Sequence, residues 1–220
     1  MMEINIAPEL AEEIGWHIGD GSMNYYNNKG DLKGFYQLRG HIKDDKQHYI
    51  ERIKPIFEKV YQVKIKLREM PSTRVFGFQI WNDEIIKFKQ QLGLPLGKKF
   101  ELEIPLEFTK KKELLASCIR GIFDTDGGLY LEKKNHKLYP RIYITTISLK
   151  LAEQLTTLLN SFGLRTTNWI DDYHPGNRLN CYKIETRGIE MLHKFFKEIE
   201  PKNPKHIARY NQFLESIPKT

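Results

Sequence analysis

Two Asp-Gly pairs, Asp20-Gly21 and Asp126-Gly127, stand 106 residues apart in a chain of 220, and each closes the same kind of segment. Glu13-Ile14-Gly15-Trp16-His17-Ile18-Gly19-Asp20-Gly21 recurs as Ile119-Arg120-Gly121-Ile122-Phe123-Asp124-Thr125-Asp126-Gly127. Each copy carries small residues four apart, Gly15 and Gly19 in one, Gly121 and Thr125 in the other. On a helix that spacing puts both on one face, and small side chains there let two backbones approach closely. If the two helices pack on that seam, their C-terminal ends converge. Asp20 and Asp126 then stand side by side, with Gly21 and Gly127 free to take a left-handed cap conformation. A carboxylate at a helix C-terminus opposes the macrodipole at a cost of about 0.3–1 kcal/mol. Two of them together repel and raise one pKa. Divalent cations offset both costs, and Mg²⁺ is typically held by one or two carboxylates with phosphate oxygens and water. A single Asp-Gly after an apolar run reads as a turn. Two copies that break the local rules in the same way read as a paired metal site.

The elements that must position these acids follow from periodicity. The first half predicts a helix from Pro8 to Gly19, a strand from Ser22 to Asn28, a turn over 29–34 and a strand from Phe35 to His41. A helix from Asp44 to Tyr61 follows, then strands Val63–Glu69 and Thr73–Trp81 and a helix Asp83–Leu92. The second half repeats the order: helix Lys111–Phe123, strands Gly128–Lys134 and Pro140–Ile147 turning at Asn135-His136, and helix Leu149–Phe162. Strands Leu164–Tyr173 and Asn180–Arg187 come next, turning at His174-Pro175-Gly176-Asn177, then helix Ile189–Ile199 and a last helix near His206–Ile217. Each half is thus an αββαββα unit of an α+β fold. Residues 1–94 form the first repeat, 95–112 a linker and 113–220 the second repeat with a C-terminal helix. The linker is not of low complexity, so the halves are expected to fold against each other.

Thirty-five Lys and Arg against 28 Asp and Glu leave a net charge of +7 and a pI near 9.2, which suits a polyanionic partner. Val63-Lys64-Ile65-Lys66-Leu67-Arg68 alternates for three cycles and puts three cations on one face, and Lys183, Glu185 and Arg187 share a face in the other half. Arg39, Arg74, Arg141 and Arg165 lie on the remaining strands, and Lys29, Lys33, Lys134, Lys137 and Arg178 near hairpin tips. Cationic strands on an edge can simply block aggregation. In both halves beside paired acids they suit a duplex, strands reading major-groove edges and loop lysines holding phosphates. Cys118 and Cys181 form no disulfide framework, which points to a reducing, intracellular setting. The histidines lack zinc spacing, no apolar run reaches membrane-span length, and the acidic N-terminal stretch is unlike a signal peptide, so no membrane partner is expected. Gly93-Leu94-Pro95-Leu96-Gly97-Lys98-Lys99 is one residue short of a phosphate-binding loop and lacks its Ser/Thr. His17 is expected to be a packed or partly exposed histidine rather than a general base. With Met1 at one end and Thr220 at the other, self-splicing is not expected.

The second motif resembles the LAGLIDADG motif of the homing endonucleases through Gly121, Asp124, Asp126 and Gly127. The first is looser, matching at Gly15, Asp20 and Gly21, with Ile18 where the motif usually has its earlier Asp and Glu13 where it opens apolar. The resemblance implies a pseudo-symmetric saddle of two antiparallel sheets with the motif helices at the interface. It implies a monomeric endonuclease cutting both strands of a long DNA site, with Asp20 and Asp126 binding two or more Mg²⁺ ions alongside Gly19 and Thr125. It also implies a basic residue near each phosphate. Lys43 resembles such a lysine, whereas Thr145-Thr146-Ile147-Ser148 in the other half has none. Lys98 and Lys99 resemble a common segment without an assigned role. The rival reading is a non-cleaving binder on the same scaffold, an intron RNA maturase or a transcriptional regulator. The expected compartment is the cytoplasm or nucleoid, or the organelle matrix for an organelle-encoded chain.

Overall fold

The computed structural model describes residues 4–28, 30–171 and 180–217. The first half runs α1 (Pro8–Ile18), β1 (Gly21–Asn28), β2 (Asp31–His41), α2, β3 (Arg68–Met70), β4 (Val75–Trp81) and α3 (Asp83–Gln91). Helix α2 is a composite of Lys46–His48, a π-helical Tyr49–Ile53 and Lys54–Tyr61. After a short α4 (Leu106–Thr109) the second half runs α5 (Lys112–Asp126), β5 (Gly127–Lys134), β6 (Lys137–Thr146), α6 (Leu149–Ser161), β7 (Thr166–Ile170), β8 (Tyr182–Arg187), α7 (Ile189–Glu198) and α8 (Pro204–Ser216).

Each half builds one four-stranded antiparallel sheet, ordered β1-β2-β4-β3 and β5-β6-β8-β7. The β1-β2 and β2-β4 ladders coincide with β5-β6 and β6-β8 after the 106-residue shift, whereas the outer β3-β4 and β7-β8 ladders differ in register. Met23 pairs Tyr36, which pairs Ile80, and Leu129 pairs Ile142, which pairs Thr186. Inward positions of β2 (Gly34, Tyr36, Leu38, Gly40) are buried against helices and the alternate positions are open, the period-2 pattern of a half-covered sheet. Outward positions of the two sheets carry Lys33, Arg39, Arg141, Lys183 and Arg187, whereas Arg74 and Arg165 lie just before β4 and β7 rather than on strands.

Between the sheets α1 and α5 abut on the expected seam. A Cβ on Gly15 would strike the Cys118 carbonyl and lie 2.8 Å from Gly121 Cα, and a Cβ on Gly121 would strike the Glu12 carbonyl. Glu12, buried, accepts 2.5 and 2.6 Å bonds from Arg52 of α2 and a 3.1 Å bond from Arg120 of α5, a charged latch across the halves. Asn203 adds a second, donating to Asp45 Oδ1 at 2.8 Å and to the Asp124 carbonyl at 2.9 Å.

Three expectations change. Residues 63–67 are extended but pair with no strand; only Arg68–Met70 joins β4. Burying Val63, Ile65 and Leu67 against the core keeps the alternation without a ladder, so Lys64, Lys66 and Arg68 still face out. The turn over 29–34 is shorter, because Asn28 pairs Asp31 and Asn27 pairs Leu32. Gly21 and Gly127 are not left-handed caps. They open β1 and β5, and their lack of a side chain serves space, since a Cβ would lie 2.6 Å from His17 Cα in one case and from the Phe123 carbonyl oxygen in the other. The turn at 174–177 lies outside the described residues.

Candidate metal centre and nucleic-acid interface

Asp20 sits just past α1 and Asp126 is the last residue of α5. A Cβ placed on Gly19 would strike Thr125 Oγ1 and lie 3.4 Å from Asp126 Cγ, so the two helix ends are in contact and the acids are neighbours. Both are buried. Desolvation raises Asp20 to about 8, with Asp126 and Asp45 adding like-charge repulsion. Asp126 is raised to about 6 by desolvation, opposed by Lys99 and Lys205. Asp45 is held below the usual carboxylate range: burial raises it, but Lys205 at 2.8 Å, Asn203 and the His41 amide at 2.8 Å overcome burial. Tyr49, on the π-helical turn of α2, is raised by burial and by Asp20, Asp45 and Asp126, which places it in the same cluster. Gly40 is small because Asp45 Oδ2 and the Tyr49 ring would each lie 2.9 Å from its Cβ.

Two lysines serve this cluster, and they are related by the same 106-residue shift as the acids. Lys99 donates to the carbonyls of His17, Ile18 and Gly19 at 2.8, 2.9 and 2.6 Å, closing the C-terminus of α1 with a cation where the dipole is negative. Burial lowers Lys99 to about 8, against Asp126 and then Asp20. Lys205, on the first turn of α8, is the cation that acts most on Asp20. Sequence reasoning gave Lys99 no role and did not single out Lys205; applying the motif shift to every lysine would have paired them. Lys43 lies exposed in the turn after β2, and the cations acting on Asp20 are Lys205 and Lys99 instead.

Among the described residues no group of three or more His, Cys, Asp or Glu is placed to hold a metal ion. The two central acids still fit a divalent cation that draws remaining ligands from phosphate and water: they are adjacent, desolvated and mutually repelling. The Gly19 carbonyl, one residue before Asp20, accepts from Lys99 at 2.6 Å. Thr125 back-bonds to the Gly121 and Ile122 carbonyls at 2.9 and 3.0 Å, so its hydroxyl is already engaged. A cavity of about 410 Å³ lined by Gly19, Lys99, Asp126, Thr145, Thr146 and Cys181 among others opens beside the acids. His17 is buried, stacked on Tyr36 at 5.6 Å, and desolvation keeps it neutral.

On the outer sheet faces the two halves differ. Arg39 donates to Gln79 at 2.8 Å. Lys33, Lys66, Arg68 and Arg74 are exposed, with no carboxylate partner among the described residues. Lys64 lies 3.4 Å from Glu58 and is almost wholly exposed. In the second sheet Lys134 pairs with Glu132 at 3.0 Å, Arg141 with Glu132 and, at 4.0 Å, Glu185. Arg187 pairs with the buried Glu185, and Arg165 pairs with Glu190 at 3.0 Å. Lys183 lies 4.7 Å over the Tyr143 ring. Lys29 and Arg178 lie outside the described residues.

Two αββαββα halves, joined by abutting helices that each end on an acid, define the LAGLIDADG homing endonuclease fold in its single-chain, two-motif form. Residues 113–200 match the LAGLIDADG-like domain. Its fold is similar to that of I-DmoI in complex with DNA and Ca, with a TM-score of 0.65 at 16% identity, covering 94% of this chain and 99% of that one. The meganuclease I-AabMI bound to uncleaved DNA is similar at a TM-score of 0.58 and 16% identity, covering 95% and 89%. In sequence, 158 residues are 31% identical to part of the replication factor C small subunit of Methanocaldococcus jannaschii, covering 71% of this chain and 7% of that protein. A stretch of 111 residues is 27% identical to part of the ATP-dependent DNA helicase Hel308 of the same organism, 46% of this chain and 9% of that one. The chain therefore matches only a small part of either archaeal protein.

Proposed function

We propose that this protein is a site-specific endonuclease of double-stranded DNA that cleaves phosphodiester bonds by metal-assisted hydrolysis, acting as a monomer whose halves, residues 1–94 and 113–220, each face one half of the target. The observation that carries this reading is the contact between the two helix ends that brings Asp20 and Asp126 together between two outward cationic sheets. The DNA complexes of I-DmoI and I-AabMI, and the Ca or Mn described with I-DmoI, support it by analogy of fold.

Asp20 and Asp126 would hold Mg²⁺, with the Gly19 carbonyl within reach. Such ions polarise a scissile phosphate, activate water and stabilise a departing 3′ oxygen when bound. The chain's own part is positioning and charge. The seam of Gly15 and Gly121 fixes the separation of the acids, and Lys99 and Lys205 supply the positive charge that the looser assignment gave to Lys43. Glu12 with Arg52 and Arg120 keeps the halves from sliding. Outward side chains such as Arg39, Gln79 and Arg141 are of the types that read major-groove edges.

Incubation with Mg²⁺ and a randomised duplex library, followed by sequencing of cut ends, identifies the target. Asp20→Asn and Asp126→Asn should each abolish double-strand cutting while leaving DNA binding in place. Full cleavage by either variant would refute the site.

A further inference from the structure

The two lysines related by the motif shift are restrained in different ways. Lys205 is drawn aside to Asp45 at 2.8 Å, and Asn203 fixes that carboxylate from the same helix start. Lys99 has no such tether. Its ammonium spends its three donors on three converging carbonyls, the shortest bond being the 2.6 Å contact to Gly19. The Gly19 backbone abuts Asp126. A main-chain carbonyl beside a carboxylate is an oxygen pair suited to a hard cation.

We propose that Lys99 is a placeholder: in the metal-free protein its ammonium holds the Gly19 carbonyl, and it must give up that oxygen before an ion can bind it beside Asp126. The proposal rests on the metal-dependent reading above and adds an order to it. The segment carrying Lys99 is anchored just upstream, where Gly97 donates to the Met23 carbonyl at 2.9 Å. Release therefore needs only a side-chain swing into the adjoining cavity, which Lys98 and Lys99 both line.

The test is calorimetric titration of Ca²⁺ into the DNA-free wild-type chain, Lys99→Met, and Lys99→Met with Asp126→Asn. Lys99→Met should bind Ca²⁺ at least about tenfold more tightly than wild type, a factor that a vacated position readily supplies. Adding Asp126→Asn should remove the gain. Equal affinity in wild type and Lys99→Met would overturn the proposal. A second measurement uses the wild-type chain alone, so it survives a variant that fails to fold. In ¹⁵N-lysine NMR the Lys99 ammonium, held by three carbonyls, should give an exchange-protected signal in EDTA that disappears as Ca²⁺ saturates. A signal still protected at saturating Ca²⁺ would also overturn it. Neither readout needs cleavage, so a chain that behaves this way yet cuts no DNA would sink the nuclease reading and leave this one standing.

Discussion

In the first half, Glu13 of α1 accepts 2.8 and 2.7 Å bonds from Lys89 of α3 and a 2.6 Å bond from the Tyr61 hydroxyl, while Tyr36 donates to it at 3.3 Å. Neither charged side chain has measurable exposure, and the ammonium also lies 5.0 and 5.4 Å over the Tyr36 and Tyr61 rings. One motif shift onward, Ile119, Phe195 and Ile142 fill the places of Glu13, Lys89 and Tyr36, all buried. The registers of β1, β2 and β4 match those of β5, β6 and β8; the interiors are opposite in kind. A duplicated topology therefore fixes where side chains point and leaves open how a buried position is satisfied, by a partnered charge or by hydrocarbon. The departure of the first motif at Glu13 is not a decayed position but one half of a matched pair.

The strongest way to break that comparison is to remove one partner. Glu13→Leu alone should cost about 3–5 kcal/mol, because it strands a buried ammonium. Lys89→Met should cost a similar amount by stranding the carboxylate. The double variant imitates the second half and should recover most of the loss, leaving the smaller deficit of two tyrosine hydroxyls without their acceptor. Urea midpoints of the three proteins measure it. Single losses under about 1 kcal/mol would mean that the pair is not a sealed charge at all.

The seam is next. Alanine at Gly15 or Gly121 must push backbone against backbone and should cost about 1–3 kcal/mol. At Gly19 the obstruction is the Thr125 side chain, so Gly19→Ala should cost less, and combining it with Thr125→Ala should recover only part of the loss, because the Thr125 Cβ would still lie 2.7 Å away. Equal costs at all three glycines would mean the helices separate to accommodate them.

Histidine 206 sharpens the contrast in a third way, because Phe100 stands one motif shift before it. Burial holds His206 near about 3, and its ring packs 4.4 Å from Phe123. Its folded pKa lies below the free value of 6.5, so the unfolded chain takes up the proton first. That contribution to stability is complete above pH 6.5 and is lost as pH falls toward 3. His206→Leu should therefore narrow the stability gap between pH 7 and pH 5 by about 1–2 kcal/mol. An unchanged gap would show that the ring is hydrated in the native state.

Much of this was legible in residue types and spacing. The repeat, the seam glycines, the paired acids and the order of elements all follow from local periodicity. What escaped notice depended on contacts between distant segments. Lys89 looked like one more helix lysine until the fold laid it on Glu13. Residues 63–67 alternate like a strand, yet the ladder stops at Arg68, since alternation reports which side is buried and says nothing of a backbone partner. Cap conformation was misread at Gly21 and Gly127 because a tight approach to the helix behind and a left-handed turn both favour glycine.

The outward faces offer the last and smallest test. Cations in the first sheet stand largely free, whereas Arg141, Arg187 and Lys134 in the second are already paired with Glu132 and Glu185. A free lysine that meets a phosphate displaces a condensed counterion, and each such contact contributes about 0.9 to the slope of log affinity against log salt. An arginine leaving a carboxylate exchanges one partner for another and releases fewer ions in net terms. Changing Lys64, Lys66 and Arg68 to Ala should thus flatten the salt dependence of DNA binding by about 2–3 in slope. The set Lys134, Arg141 and Arg187 to Ala should flatten it less, while relaxing base preference in that half of the site if these side chains read base edges. Equal flattening would mean that the Glu132 and Glu185 pairs dissolve on binding and that both faces hold DNA by charge alone. No flattening from the first set would remove Lys64, Lys66 and Arg68 from the contact surface.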